Sequence, residues 1–260
     1  MFTLGCDRAY LYGHAERELT EEEQFRYDDA VRQRSRGIPA QYITGHQEFW
    51  GMDLIVSPAV LIPRPETEHV IEAVLAGVEW NRPERSGMGP SLAVPRIADV
   101  GTGSGCIALA LAKELPQAEI HATEISPAAL EVARANAARH QLEQRIHFYE
   151  TDLLEGMEKN TFDLVVSNPP YVGESEEDEV QLEVRKFEPR AAVFAGPTGL
   201  EVIERLIPQA RDVLKGGGRL VMEISGSIAK RVQELLVGWE SVKITNDLQS
   251  IPRVASAQKS

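Results

Sequence analysis

The feature that most constrains the fold is a glycine-rich turn between an apolar run and a helical stretch. Gly101, Gly103 and Gly105 follow the run Ile97–Val100 and precede the helical stretch Cys106–Glu114. Glycines allow a sharp turn and let a ligand lie against bare backbone. The start of a helix favours negative charge or a hydrogen-bond acceptor. A strand, a glycine loop and a helix in this order therefore predict a unit that binds a nucleoside cofactor.

From residue 96 onward, short apolar runs alternate with amphipathic segments. The predicted strands are Ile97–Val100, Glu119–Ala122, Ile146–Tyr149, Asp163–Ser167 and Arg219–Glu223. Helices are predicted from Ser126 to about His140 and over Gly199–Leu214, the second closed by the glycines at 216–218. This alternation predicts an α/β fold with a mostly parallel sheet that is covered on both faces.

Two further apolar runs near the end of the chain have no helix between them. They are Ser241–Thr245 and Arg253–Ala257. Because parallel neighbours need a long crossover connection, we expect these two runs to pair antiparallel at the edge of the sheet.

The first 45 residues have a helical pattern. Thr20 and Glu23 have the spacing of a capping box, which predicts a helix that runs towards Arg36. Residues 46–62 have the aromatic and β-branched content of a hairpin, with Gly51 near its turn.

A main domain is predicted over residues 63–260. Within it, the Pro-, Gly- and Ser-rich segment 79–95 is predicted to be a flexible surface loop. The sequence thus divides into a helical unit (1–45), a hairpin linker (46–62) and a sheet domain (63–260).

Acidic residues follow the next predicted strands. Glu124 ends the second strand and is placed to accept both hydroxyls of an adenosine ribose. Asp152 follows the third strand, where it can meet the adenine edge with Leu153 as an apolar neighbour. Dinucleotides usually come with G-x-G-x-x-G, whereas this loop is G-x-G-x-G preceded by Asp99, whose charge suits an ammonium group. The pattern favours S-adenosylmethionine over a dinucleotide.

The strand Asp163–Ser167 ends in the tetrad Asn168-Pro169-Pro170-Tyr171. Prolines donate no backbone hydrogen bond and hold the chain extended, which leaves carbonyl groups available to a ligand. The side-chain oxygen of Asn168 and the carbonyl of Pro169 can accept the two hydrogens of a planar NH2 group. Tyr171 can offer a flat aromatic face to the same group. The tetrad therefore predicts methyl transfer to an amide or amine nitrogen.

Composition excludes several classes of protein. With 27 basic and 40 acidic residues the net charge is −13, which disfavours nonspecific binding to nucleic acid. The chain has no run of about 18 apolar residues that could cross a membrane and no secretory signal at its N-terminus. The two cysteines do not form a CxxC motif, and no metal cluster is apparent. We expect a cytoplasmic protein with no metal and no direct contact with nucleic acid.

Together with the tetrad, several segments resemble the HemK/PrmC family, the glutamine N5-methyltransferases of bacterial peptide-chain release factors. These segments are Tyr42–Gly45, Glu48–Gly51, Leu61–Glu68 and Phe187–Arg190. The resemblance covers nearly the whole chain. It implies a seven-stranded, Rossmann-like class I methyltransferase domain, a β-hairpin linker, and a small helical N-terminal domain that grips the release factor and is about two helices shorter than in the family.

The family resemblance also implies the cofactor, the partner and the site. The cofactor is S-adenosyl-L-methionine, and the acceptor is the glutamine of the release factor's Gly-Gly-Gln motif. Independently of the resemblance, we expect a monomer. Carried onto matching positions, the cofactor residues are Gly101, Thr102, Gly103, Ser104, Gly105, Glu124, Asp152, Leu153 and Asn168. The catalytic and substrate-binding residues are Asn168, Pro169, Pro170 and Tyr171. Glu124 departs from the aspartate that many relatives carry.

Some alternatives stay open at the level of sequence. Adenine N6 presents the same planar NH2 group, so a nucleic-acid amino methyltransferase is a second hypothesis, and a non-catalytic module that keeps the cofactor pocket is a third. Arg64 could anchor the substrate chain or pair with Glu66 or Glu68. The acidic run Glu174–Glu179 is predicted to be a solvated, mobile lid.

Overall fold

A computed structural model describes residues 1–77 and 94–260 of the chain. The loop predicted at 79–95 therefore lies, apart from its last two residues, outside the described residues. The strands are β1 His46–Phe49, β2 Met52–Ile55, β3 Arg96–Val100, β4 Glu119–Glu124, β5 Ile146–Glu150, β6 Phe162–Ser167, β7 Val172–Gly173, β8 Phe194–Gly196, β9 Leu214–Glu223, β10 Glu240–Asn246 and β11 Pro252–Gln258. The α-helices are α1 Arg8–Gly13, α2 Glu21–Ser35, α3 Ala40–Thr44, α4 Glu68–Gly77, α5 Cys106–Glu114, α6 Pro127–Arg139, α7 Leu182–Phe187, α8 Arg190–Val193, α9 Glu201–Val213 and α10 Ala229–Leu235.

A seven-stranded sheet organises the main domain, in the order β10-β11-β9-β6-β3-β4-β5. The strands from β9 to β5 are parallel, while β11 runs antiparallel to both β9 and β10. No helix separates β10 from β11, as predicted from the last two apolar runs. The predicted seven-stranded, mostly parallel α/β fold is confirmed.

The central strands are buried along most of their length because both of their faces are covered. In β3 every residue from Ile97 to Val100 is buried, and β6 is buried from Leu164 to Ser167. Helix α5 packs on one face with Ile107–Ala112 buried, and α9 covers the other face. Such double cover is the usual reason that parallel strands carry continuous rather than alternating apolar residues.

One predicted boundary is wrong. The glycines at 216–218 were expected to close a helix, but they lie inside β9, which begins at Leu214. The preceding helix α9 already ends at Val213. Backbone hydrogen bonds between Gly217, Gly218 and Lys259 pair this glycine stretch with the end of the chain. Pairing with a strand distant in sequence has overridden the local signal of the glycines.

The N-terminal helices and the hairpin precede this domain. The predicted capping box is present, since Thr20 Oγ1 accepts from Glu23 N–H and the Glu23 carboxylate accepts from Thr20 N–H. The hairpin turns at Trp50-Gly51, both with positive φ, the geometry of a two-residue type I′ turn. It occupies only residues 46–55 of the predicted linker.

Apolar side chains of the hairpin join the main core. Phe49, Met52 and Leu54 are buried with residues of the sheet and its helices. Asn136 of α6 fastens the hairpin, because its side chain bonds both the N–H and the carbonyl of Ile55 and also the carbonyl of Ser104. The hairpin is thus tied directly to the glycine loop. The domain boundaries at 45 and 62 stay a prediction.

Within the described part of the chain, no helix is both long enough and apolar enough to cross a membrane.

Candidate active site

The candidate site lies at the carboxyl ends of β3, β4, β6 and β9, where a parallel sheet presents its loops to a ligand. The glycine loop leaves β3, Glu124 ends β4, and Asn168 follows β6. The register of β6 against β9 aligns Ser167 with Met222. Asn168 and Glu223, the next residues along these two strands, therefore lie side by side at the same edge.

The glycine loop has a backbone that other residues adopt with difficulty. Gly101 and Gly103 have φ of 69° and 54°, and a Cβ atom on either would meet no neighbouring atom within 4 Å. The loop is held below by the carbonyl of Thr123, which accepts the N–H groups of Gly101 and Thr102 over 2.9 Å each. Open space therefore lies beside two bare backbone positions, as a ligand cradle requires.

The other three loop residues are placed differently. A Cβ on Gly105 would lie 3.3 Å from the Cβ of Ala133, so this glycine allows α5 to pack closely against α6. Thr102 and Ser104 are buried, with 4% and 2% of their surface exposed. The Thr102 hydroxyl donates to Asp99. Only the backbone of Thr102 and Ser104 can therefore face a ligand in this conformation.

Asp99 lies completely buried under the glycine loop. Its Oδ2 accepts from the Thr102 hydroxyl (2.6 Å) and from Ala108 N–H (3.1 Å), which ties the loop to the first turn of α5. Its Oδ1 is buried and has no hydrogen-bond partner among the residues the structure describes. Burial raises the pKa of Asp99 to about 7, and the charge of Glu124 adds to this. A cation bound above the loop would lower the pKa of Asp99.

Glu124 connects the glycine loop to the start of α6. Its Oε2 accepts from Gly103 N–H and its Oε1 from Ser126 N–H, each over 3.0 Å. The side chain is half-buried at the tip of β4. Each carboxylate oxygen keeps a second lone pair, so the predicted contact with two ribose hydroxyls is compatible with these bonds.

Asp152 and Leu153 lie after β5, as predicted from sequence. Asp152 pairs with Arg205 of α9, so its carboxylate already has a cationic partner in this conformation. Leu153 has a positive φ of 52° and packs against the core on the α9 side of the sheet. Asp99, Glu124 and the glycine cradle together fit an adenosine cofactor whose other end carries an ammonium group.

A continuous chain of hydrogen bonds runs through the tetrad. Asn168 Nδ2 donates to Thr67 Oγ1 over 3.0 Å, and Thr67 Oγ1 donates to Glu223 Oε2 over 2.6 Å. At the other end, the Tyr171 hydroxyl donates to Glu223 Oε1 over 2.9 Å. Thr67 and Glu223 are each only 1% exposed. The structure thus joins the first and last residues of the tetrad through one buried carboxylate.

Burial has the largest effect on the pKa values of the groups in this chain of hydrogen bonds. It raises the pKa of Glu223, while the hydrogen bonds from Thr67 and Tyr171 and the charge of Arg253 act to lower it. Burial and the neighbouring Glu223 charge also raise the pKa of the Tyr171 hydroxyl far above its ordinary value. Tyr171 is therefore a neutral hydrogen-bond donor at physiological pH.

The prolines of the tetrad continue the chain away from β6. Pro169 is buried and Pro170 is half-buried. A Cβ on Gly199, whose φ is 80°, would lie 2.5 Å from the carbonyl oxygen of Tyr171. Only a glycine allows this close approach, which fixes the exit of the tetrad against the start of the segment leading into α9.

Arg64 pairs with a residue that neither sequence hypothesis named. Its guanidinium bonds the carboxylate of Glu188, which is buried and also accepts from Ile62 N–H over 3.1 Å. Glu68 instead accepts from Trp50 N–H at the hairpin turn. Of the two alternatives for Arg64, pairing with Glu66 or Glu68 is not what the structure shows, because the chain after the tetrad returns to pack against the segment that holds Arg64. A role of Arg64 in anchoring the substrate stays a hypothesis.

The acidic run Glu174–Glu179 forms one stretch of 3-10 helix after β7. Glu177 accepts both terminal nitrogens of Arg190, over 2.8 and 2.9 Å. Asp178 pairs with Arg185 through a single contact of 2.8 Å. The run is thus tied to α7 and α8, and its predicted role as a mobile lid stays a prediction.

Neither Thr67 nor Glu223 stands out as a functional residue in the sequence. Thr67 was part of a segment quoted for its family resemblance, and Glu223 was the end of a predicted strand. The one signal for Glu223 was its position as a carboxylate at the end of an apolar strand, β9, which lies beside the strand that leads to Asn168. That signal depends on strand order, which the sequence pattern alone does not give.

Comparisons with known proteins agree with this geometry. Residues 90–187 match the family model "Methyltransferase small domain", and residues 1–45 match "PrmC N-terminal domain". The release factor glutamine methyltransferase of Koribacter versatilis is 54% identical over all of this chain and 88% of its own length. That of Rhodopirellula baltica is 38% identical over 98% of this chain and 85% of its own. A methyltransferase structure from Pyrococcus furiosus, 19% identical, shares the fold with a TM-score of 0.56 over 92% of this chain and 99% of its own.

Proposed function

The chain belongs to the release factor glutamine methyltransferase family, and from this premise we propose that it methylates the side-chain amide nitrogen of the glutamine in the Gly-Gly-Gln motif of a peptide-chain release factor. The observation that carries the proposal is the hydrogen bond from Asn168 to Thr67. It engages the amide nitrogen of Asn168 and so turns Oδ1 away from Thr67, free to accept a hydrogen from an NH2 group.

S-adenosyl-L-methionine is the proposed cofactor, and when bound it supplies an electrophilic methyl group. The backbone of Gly101–Gly105 cradles it, and Glu124 accepts its ribose hydroxyls. Asp99 offsets the positive charge of its ammonium group through space, since a fully buried carboxylate interacts strongly with a nearby cation. Asp152 and Leu153 border the adenine. Two observations support these roles. Open space lies over the glycine loop, and Asp99 Oδ1 has no hydrogen-bond partner among the described residues.

The amide nitrogen that the tetrad would bind is a weak nucleophile. The lone pair of an amide nitrogen is delocalised into its carbonyl group. Asn168 Oδ1 and the Pro169 carbonyl each accept one hydrogen of the NH2 group, which raises electron density on nitrogen and aligns it. Tyr171 gives the amide plane an aromatic face. Alignment supplies much of the rate, and the proton leaves to water after transfer, so that no general base is needed.

A release factor is the proposed partner, and the helical unit 1–45 contributes to holding it. We place the protein in the cytoplasm, where its partner acts, and we expect it to be a monomer. The net charge of −13 favours a protein substrate over DNA or RNA, whose phosphates an acidic surface repels. Adenine N6 remains the competing acceptor because it presents the same planar NH2 group.

The direct test is transfer of labelled methyl from S-adenosylmethionine to a purified release factor. We expect label on the intact factor and none when its Gly-Gly-Gln glutamine is changed to alanine. The Asn168→Ala variant serves as the enzyme control and should give no label. Label that persists on the alanine factor, or that appears on DNA or RNA instead, contradicts the proposal.

A further inference from the structure

One buried carboxylate contacts both ends of the tetrad. Glu223 receives the Tyr171 hydroxyl on one oxygen and the Thr67 hydroxyl on the other, over 2.9 and 2.6 Å. Thr67 in turn receives the amide of Asn168 over 3.0 Å. These residues come from the turn just before α4, the exit of β6 and the end of β9, so the chain of bonds exists only in the folded protein.

The chemistry of the donors sets the direction of each bond. A threonine hydroxyl has a single hydrogen, and Thr67 gives it to Glu223. The Thr67 oxygen can therefore only accept from Asn168, and only the NH2 end of the Asn168 amide can donate. While Glu223 accepts the hydrogen of Thr67, the orientation in which Asn168 Oδ1 faces Thr67 is disfavoured because two acceptors would then meet. Glu223 thus determines, through Thr67, which way the amide of Asn168 faces.

We propose that Glu223 and Thr67 are positioning residues for methyl transfer: they lock the Asn168 amide so that Oδ1 faces the acceptor nitrogen, and Glu223 also fixes the ring of Tyr171 through its hydroxyl. The inference rests on the proposed function and adds two residues that do not touch the substrate.

The hydrogen bonds to Glu223 offset only part of the cost of burying its charge. Burial penalises its charge and raises its pKa, whereas two hydrogen bonds and Arg253 favour the ionised form. Both of its oxygens accept a hydrogen bond. A glutamine at this position has one acceptor and one donor end, so it cannot accept from Thr67 and Tyr171 together.

The first experiment removes only the relay hydroxyl. Thr67→Val is nearly isosteric, and Thr67→Ser keeps the hydroxyl. Thr161→Val is the control, since Thr161 immediately precedes the opposite end of β6 and, among the described residues, its hydroxyl bonds only the nearby Lys159 carbonyl. Steady-state kinetics use the release factor and S-adenosylmethionine at a temperature where all variants are folded. We expect Thr67→Val to lower kcat at least tenfold, Thr67→Ser to stay within about threefold of wild type, and Thr161→Val to be unchanged.

The second experiment separates positioning from binding and from stability. Glu223→Gln and Tyr171→Phe each break one arm of the chain, and calorimetry measures the Kd of S-adenosylmethionine for every variant. We expect Glu223→Gln to lower kcat at least tenfold with Kd within about twofold of wild type. Tyr171→Phe should lower kcat by a smaller factor, because the hydrogen bonds from Asn168 through Thr67 to Glu223 stay intact.

The outcomes show separately whether the positioning role fails and whether the proposed function fails. Equal kcat for Thr67→Val and Thr67→Ser, or a loss that appears only in Kd or KM, overturns the positioning role while wild-type transfer upholds the proposed function. Absence of transfer by the wild-type chain overturns the proposed function, and the inference falls with it.

Discussion

Asn168 donates its side-chain amide to the hydroxyl of Thr67 over 3.0 Å, although 101 residues separate the two in the chain. Thr67 stands in the segment that leads into α4, and Asn168 leaves β6 in the middle of the sheet. The residue that we propose to bind the substrate is therefore oriented by a segment that precedes the predicted cofactor-binding unit. This relationship makes the amide of Asn168, and not just its oxygen, necessary.

An aspartate at position 168 tests that necessity. Asn168→Asp keeps an acceptor oxygen but has no hydrogen to give Thr67, whose own hydrogen goes to Glu223. We expect kcat to fall at least 100-fold, close to the loss in Asn168→Ala, with circular dichroism unchanged. Activity within about threefold of wild type would show that the Thr67 contact is dispensable.

Glu124 is expected to control cofactor affinity. It braces the loop through Gly103 and offers its remaining lone pairs to the ribose. Glu124→Ala should weaken the Kd of S-adenosylmethionine about tenfold or more, the scale of a lost hydrogen bond to a charged group. Calorimetry measures this, and Glu155→Ala, which changes an exposed acid beyond β5, is the matched control. An unchanged Kd in Glu124→Ala would remove this residue from the site.

Asp99 should make the stability of the free protein depend on pH. Its pKa is raised from 3.8 to about 7 by burial, so between these values the folded state holds a proton that the unfolded state has lost. The contribution of Asp99 to the free energy of unfolding is therefore largest at low pH and falls by about 4 kcal/mol as pH rises through this window.

Comparison with Asp99→Asn isolates this contribution in urea unfolding at pH 6 and pH 8. The variant should be more stable than wild type at pH 8 and bind S-adenosylmethionine more weakly, because it lacks the charge that offsets the ammonium group. Stability curves of wild type and variant that run parallel over this range would refute the assignment.

Arg64 and Glu188 form an ion pair whose disruption should destabilise the fold. The Glu188 side chain is 1% exposed, so removing Arg64 leaves a buried carboxylate with only the Ile62 N–H. Arg64→Met should lower the free energy of unfolding by about 1–3 kcal/mol. Adding Glu188→Gln should recover part of that loss. Two losses that simply add would mean that the pair is not coupled.

Local sequence was sufficient to predict the elements that need only near neighbours. The glycine loop at 101–105, the capping box at Thr20 and the order of strands and helices each follow from spacing within a few residues. The tetrad was identified in the same way, because its prolines and its position after an apolar strand are adjacent in the chain.

Contacts between distant segments could not be predicted in this way. The Thr67–Glu223 bond spans 156 residues and depends on β9 lying beside β6. The Arg64–Glu188 pair spans 124 residues, and sequence spacing had pointed to nearer acids instead. At 216–218, pairing with the C-terminal segment turned a predicted helix stop into strand. In each case, the tertiary partner decides the outcome.

The chemical identity of the methylated nitrogen tests the central claim most directly. The release factor is methylated with S-adenosylmethionine labelled in its methyl group and is then hydrolysed completely in strong acid. A methyl group on a glutamine side-chain amide is released as labelled methylammonium, which distils as volatile methylamine once the hydrolysate is made alkaline, while the residue becomes unlabelled glutamate. We predict that nearly all of the label is recovered as methylamine. Label retained on an involatile amino acid would contradict the account, because the tetrad would not then be holding an amide NH2 group.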